Sequence, residues 1–184
     1  MNDVELAAST LNSGGIVAHA TEGVWGLCCD PRNIKSVRKI LEIKQRPENK
    51  GLILIGGSVA FFDLELSTLG LDKRKEIEEC WPGHHTWVLP NTNNYSDCVT
   101  GGRDTVACRV PDHIQARSLS SQFGGPIVSS SANFSGAPEL KTEQDVRREF
   151  LSIVDFILPG TIGNASGPSA IHTLEGSLLR GSHG

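Results

Sequence analysis

The chain has 184 residues, 38% hydrophobic and 21% charged, with 17 Lys and Arg against 21 Asp and Glu for a formal net charge of −4. This length predicts one domain over 1–184 whose core needs no disulfide or metal support, and the composition excludes disordered and collagen-like chains. The negative balance disfavours a nucleic-acid coat protein, whose basic face supplies most of its affinity. No apolar run approaches the ~18 residues of a membrane span. The acidic start, MNDVE, argues against a secretory signal. Five cysteines (Cys28, Cys29, Cys80, Cys98, Cys108) contain no CxxC pair, which points to reduced thiols in a cytoplasm and to no zinc site.

Along the chain, Asp3 can cap a helix with Val4, Ala7, Ala8 and Leu11 on one face, stopped by Gly14-Gly15. Residues 15–20 read as a strand, and Thr21–Asp30 as a glycine-punctuated turn. Asn33 precedes a helix with Ile34, Val37, Ile40 and Leu41 at core spacing, ended by Pro47. The apolar run Gly51–Ile55 fits an interior strand covered on both faces. A helix follows over Leu71–Cys80, then strands over Thr86–Leu89 and Thr105–Val110. Asp112 can cap a helix to Phe123. Pro126–Ser129 is a strand, Thr142 with Asp145 starts a helix, Val154–Leu158 is a strand, and short strands at Ala170–His172 and Leu178–Arg180 close the sheet. Alternating strands and helices give an α/β class. Some connections are too short for βαβ crossovers, so the expected architecture is a twisted mixed parallel and antiparallel sheet flanked by helices.

GxxxxGK[ST], GxGxxG, GxSxG and HExxH are all absent. This disfavours a Walker ATPase, a Rossmann dehydrogenase, an α/β-hydrolase and a zinc protease. His84 and His85 point to opposite faces of a strand and cannot share a metal. Polar chemistry concentrates in four segments. Thr21-Glu22 ends a strand and can hold an amine or hydroxyl substrate, or simply form a turn. Residues 32–50 hold seven cations against Glu42 and Glu48; Lys44, Arg46 and Lys50 leave a helix for a loop beside the interior strand, where α/β ligand sites lie, although cations also complement a helix C-terminus. Arg109 lies in an apolar strand and needs an anionic partner, either a phosphate or carboxylate ligand or an internal acid. Ser129–Asn133 supplies hydroxyls and an amide at a strand end, suited to phosphate or ribose and equally to a Ser-rich turn.

In this order, TEGVWGLCCD, KQRPENKGLILI, WPGHHTWVLP, ACRVPDH, SSSANFSG and GPSAIHTLEGSLLRG resemble the YrdC/TsaC family of threonylcarbamoyl-AMP synthases, from about residue 15 to 181. KxR followed by SxN, here Lys44, Arg46, Ser131 and Asn133, is that family's characteristic tetrad. The resemblance implies a YrdC-like fold with a concave basic cleft, in the short bacterial form without an added C-terminal domain. It implies joining of L-threonine, bicarbonate and ATP into threonylcarbamoyl-AMP and pyrophosphate, with Mg2+ carried by the triphosphate, and downstream proteins that pass the threonylcarbamoyl group to a tRNA adenosine beside the anticodon. Carried over by position, Lys44, Arg46, Lys50 and Arg109 clamp phosphate or carboxylate, Ser131 and Asn133 with Ser129 bond the nucleotide phosphates, and Thr21 holds threonine. The chain departs from the family pattern at His19 and Ala20, where an aromatic and a proline are common, at Gly23, at His84 and at His172. The rival readings are an RNA-binding or ribosome-maturation module using the same cleft, against which ten aromatics offer few stacking platforms, and a carbamoyl transferase like the related domain of hydrogenase-maturation proteins.

Overall fold

The computed structural model describes residues 1–180, so Gly181 of the SLLRG match lies outside the described residues. In chain order the elements are α1 (Asp3–Asn12), β1 (Val17–Ala20), β2 (Trp25–Cys29), α2 (Ile34–Ile43), β3 (Ile53–Ile55), α3 (Asp63–Leu66), α4 (Leu71–Glu79), β4 (His85–Pro90), α5 (Asp97–Thr100), β5 (Thr105–Arg109), α6 (Ile114–Phe123), β6 (Ile127–Ser131), α7 (Glu143–Phe150), β7 (Phe156–Ile157), β8 (Ala170–His172) and β9 (Leu178–Arg180). The strands form one sheet in the order β7-β1-β2-β6-β3-β5-β4-β8-β9. It is mixed, as expected: β1–β7, β3–β5 and β4–β8 run parallel and the other pairs antiparallel.

Several local readings need correction. Residues 25–29 are not a turn but a fully buried strand between β1 and β6; Gly26 and its apolar neighbours fit a close interior position. Asn2, not Asp3, caps α1. Its Oδ1 accepts from the Glu5 amide at 2.9 Å while Glu5 Oε2 accepts from the Asn2 amide at 2.8 Å, a reciprocal capping box. Asp112 does not cap α6, because its amide donates to Glu22 and its carboxylate pairs with Arg117; His113 Nδ1 accepts from the Ala116 amide instead. Helix α2 stops at Ile43, before Pro47. The Arg46 amide donates to Leu41 O at 2.8 Å and the Gln45 amide to Glu42 O at 2.9 Å, with Gln45 at φ 47°. That is a Schellman ending with glutamine where glycine is usual.

The sheet buries two cores. On one face, Ala18, Leu27, Leu54, Val128 and Cys108 pack under Val37, Ile40 and Leu41 of α2 and Val146 and Phe150 of α7. On the other, Val17, Cys28, Ile55 and Ile127 pack under Ala7, Ala8 and Leu11 of α1 and Ala116 and Leu119 of α6. Strand alternation puts Gly26, Ile53, Ser129 and Ser131 on this second face. They lie beyond the helices and line an open depression.

Candidate active site

The depression brings together Thr21, Arg46, Arg109, Ser129, Ser131 and Arg180. A second hollow shares Arg46 and Arg180 and adds Lys50, Arg103 and an apolar wall of Val88, Val99, Ile171 and Leu179.

The strained residue Gln45 aims Arg46 out of the helix. Arg46 Nε and Nη2 both donate to Gly51 O, at 3.1 and 3.0 Å, which fixes the guanidinium between the two hollows. Lys44, the C-cap of α2, turns the other way. The residue is 7% exposed, and its ammonium donates to Ser131 O, to Asn133 O at 3.0 Å and to Asn133 Oδ1 at 2.8 Å. Burial and then Arg46 lower its pKa from 10.5 to about 8, against the opposing pull of Glu139. Ser131 Oγ donates to Asn133 Oδ1 at 2.8 Å, and Asn133 Nδ2 donates to Ala137 O at 2.7 Å. Lys44, Ser131 and Asn133 are therefore bonded to one another as the wall of the depression, and of these three only Ser131 lines it. Lys50, exposed on a 3-10 turn, borders the second hollow only.

Arg109 ends β5 at 5% exposure. Its Nη1 lies 3.1 Å from each carboxylate oxygen of Glu22 and 3.2 Å from His84 Nδ1. The Asp112 amide also donates to Glu22, at 2.8 Å. Burial raises the Glu22 pKa, but His84, Arg109 and the backbone amides outweigh it and bring the carboxyl down to about 2. Of the two readings left open for Arg109, the internal ion pair is present, on a residue that also borders the depression. Thr21 uses its hydroxyl in a turn, donating to Val24 O at 2.7 Å.

Sequence reasoning missed Arg180 and Ser169; it singled out Glu22 as a substrate carboxylate or turn residue, not as the partner of Arg109, and His84 as a departure from the family pattern. Arg180 ends β9 and donates from Nε to Ser169 O at 3.1 Å. Its proton affinity is lowered by burial, then by Arg109 and Arg46, while Glu139 opposes. An arginine closing an apolar strand was as visible at 180 as at 109.

A family model for Sua5, YciO and YrdC, described under telomere recombination, matches residues 9–181. The chain belongs to this family. Curated relatives span nearly its whole length: a threonylcarbamoyl-AMP synthase of Hahella chejuensis is 42% identical over 178 residues, 96% of this chain and 97% of the relative. One of Halorhodospira halophila is 44% identical over 178 residues, 96% and 93% of the two chains. Among solved structures, P. abyssi Sua5 complexed with L-threonine superimposes with a TM-score of 0.90 at 30% identity over 98% of this chain, which spans 54% of that longer chain. E. coli YciO, at 22% identity and a TM-score of 0.82 over 96% of this chain and 87% of its own, shares the fold.

Within this family framework, three of the five departures, Gly23, His84 and His172, fall into two clusters. A side-chain carbon on Gly23 would lie 2.2 Å from Gly167 O, so glycine lets the 163–169 segment lie against the Thr21–Val24 turn, and His84 Nε2 bonds the same Gly167 carbonyl at 2.9 Å. His172 stacks on Trp87 with centroids 4.9 Å apart, and its Nε2 lies 3.0 Å from His85 Nδ1. No thiol lines the depression, and Cys28, Cys29 and Cys108 are buried with pKa values raised by burial.

Proposed function

We propose that the chain is an L-threonylcarbamoyladenylate synthase. The carrying observation is that three guanidiniums, of Arg46, Arg109 and Arg180, border one depression with Thr21 and the Ser129–Ser131 hydroxyls. The relatives' shared name over almost the whole chain supports this reading over an RNA-binding module. The neutral amine of L-threonine bonds to the carbon of CO2 with loss of a proton, or to that of bicarbonate with release of water, to give a carbamate, whose oxygen attacks the α-phosphorus of ATP and expels pyrophosphate. Carbamate and triphosphate are both anionic, so bringing them together requires charge neutralisation and fixed positions more than proton transfer. Arg46 and Arg180 are the cations best placed to bind the phosphates, since each is anchored through one edge. Arg109, neutralised by Glu22, holds the threonine side of the site in place, with Lys50 at the outer edge. Lys44, Ser131 and Asn133 keep the wall rigid, and Thr21 faces the amino acid.

Among the described residues no group of three His, Cys, Asp or Glu side chains could hold a metal. The donors around the depression are hydroxyls and guanidiniums, with Glu22 engaged by Arg109. This set suits Mg2+ carried in on phosphate oxygens, where it would screen triphosphate charge. Residues 1–184 act as one catalytic unit in the cytoplasm, and other proteins transfer the product's threonylcarbamoyl group to tRNA. Among the described residues no helix is long and apolar enough to cross a membrane. The test is pyrophosphate release by purified protein with ATP, L-threonine and bicarbonate, then with each omitted. Release that requires all three is expected. Release without threonine, or none from folded protein, overturns the assignment.

A further inference from the structure

His19, Gly26 and Ser129 share the face of the sheet that carries the depression, on β1, β2 and β6. One strand, β2, separates His19 from Ser129 along the sheet, and the imidazole spans the gap over Gly26. Its Nε2 lies 3.1 Å from Ser129 Oγ. A side-chain carbon on Gly26 would sit 3.0 Å from that Oγ and 3.1 Å from that Nε2, crowding both atoms, so glycine keeps the path open. On the other side of the ring, Nδ1 lies 3.1 Å from Ala20 O. A carbonyl oxygen only accepts, so Nδ1 carries the hydrogen and Nε2 offers a lone pair. The hydrogen in the bond to Ser129 is therefore the serine's own. His19 is fully buried, and burial, helped by the neighbouring His113, lowers its pKa from 6.5 to about 4, so the ring stays neutral near pH 7.

With its hydrogen engaged, Ser129 presents only lone pairs to the depression. Thr21, on the same rim, is in the same state, because its hydroxyl donates to Val24 O. Phosphate oxygens near neutral pH are acceptors and find no donor at these two hydroxyls. An amino group, whose N–H donates, finds two acceptors there. We propose that Ser129, its hydroxyl hydrogen held by His19, accepts a hydrogen bond from the amino group of L-threonine and is not a phosphate ligand. This replaces the phosphate role that family resemblance gives Ser129, makes His19 a positioning residue, and rests on the synthase reading. The pair is not a base for the reaction: its imidazole titrates about four units below an ordinary α-amino group.

The test is steady-state pyrophosphate release with L-threonine and ATP varied in turn. Ser129→Ala should raise KM for threonine about tenfold, the usual cost of one hydrogen bond to a charged or buried group, with KM for ATP within about twofold. His19→Phe, which keeps a ring but offers no acceptor, should show the same split. His19→Gln, whose amide oxygen can take the serine hydrogen, should restore most of the threonine affinity. A rise in KM for ATP with threonine unchanged in Ser129→Ala overturns the proposal, as does His19→Phe with both constants unaltered. Ser129→Ala removes a single hydroxyl, so the ligand assignment stays decidable even if His19→Phe does not fold. Calorimetric titration with L-threonine alone separates the two readings. If wild-type protein binds threonine, and Ser129→Ala weakens that binding about tenfold, the Ser129 assignment stands even where threonine-dependent pyrophosphate release fails; unchanged binding overturns it.

Discussion

Glu22 carries its charge inside the protein at 6% exposure, between Arg109 and the Asp112 amide. Its folded pKa of about 2 lies below the ordinary 4.5, so the unfolded chain binds the proton first as pH falls. The stabilisation is complete above about pH 4.5 and is lost as pH approaches 2. His19, held neutral by burial, works in the same direction over a higher window, from 6.5 down to about 4. Thermal melts should therefore be flat near pH 7, fall below about pH 6.5, and fall further below about pH 4.5. Glu22→Gln should flatten the lower limb. It should also cost about 3 kcal/mol at pH 7 by leaving Arg109 without its counter-charge, a drop on the order of 10 °C for a chain of this size. A Glu22→Gln melt that still follows wild type between pH 4.5 and 2 would assign that limb to other carboxylates. Arg109 shows what the sequence held and what it withheld. Its burial and need for an anion were readable from the apolar strand around it. Its partner sits 87 residues away, and local patterning gives no sign of that approach.

At the scale of elements, period and capping found the helices, because their signals lie within a few residues. β2 was lost because Gly26 reads as turn punctuation, when its lack of a side chain lets His19 cross the strand. The segment 163–169 had no pattern to read. It is ordered by contact: the Gly163 amide donates to Thr21 O and the Ala165 amide to Glu22 O, both at 3.0 Å. Gly167 packs against Gly23 so closely that a methyl there must displace the backbone. Gly23→Ala should therefore push this segment off the Thr21–Val24 turn, costing about 1–3 kcal/mol as overpacking. Amide hydrogen exchange at Gly163 and Ala165 should speed up while the β3 and β5 amides stay protected. Unchanged exchange at those two amides would mean that the turn, not the segment, yields to the added methyl.

At the scale of the molecule, a chain of net charge −4 places three guanidiniums around one depression. The order of the nine strands, which sets Arg46, Arg109 and Arg180 side by side, depends on pairings between residues far apart in sequence, and that is why Arg180 escaped notice although its strand was read. The arrangement has a measurable consequence. Arg109 and Arg46 both disfavour the charge on Arg180, so the ligand-free protein bears a repulsion that bound anion relieves. Arg180→Ala should leave the melting temperature without ligand unchanged or slightly higher. Saturation by ATP at about 100 times Kd stabilises a protein by about 2.7 kcal/mol, and a tenfold weaker Kd would cut that to about half. The ATP-induced rise in melting temperature should accordingly fall by about half in Arg180→Ala, and raising salt should shrink the wild-type rise more than the variant's, since one fewer screened charge is involved. If the variant gains as much from ATP as wild type at both salt concentrations, then Arg180 serves only to pin Ser169, and the nucleotide is held by Arg46 and the outer lysine without it.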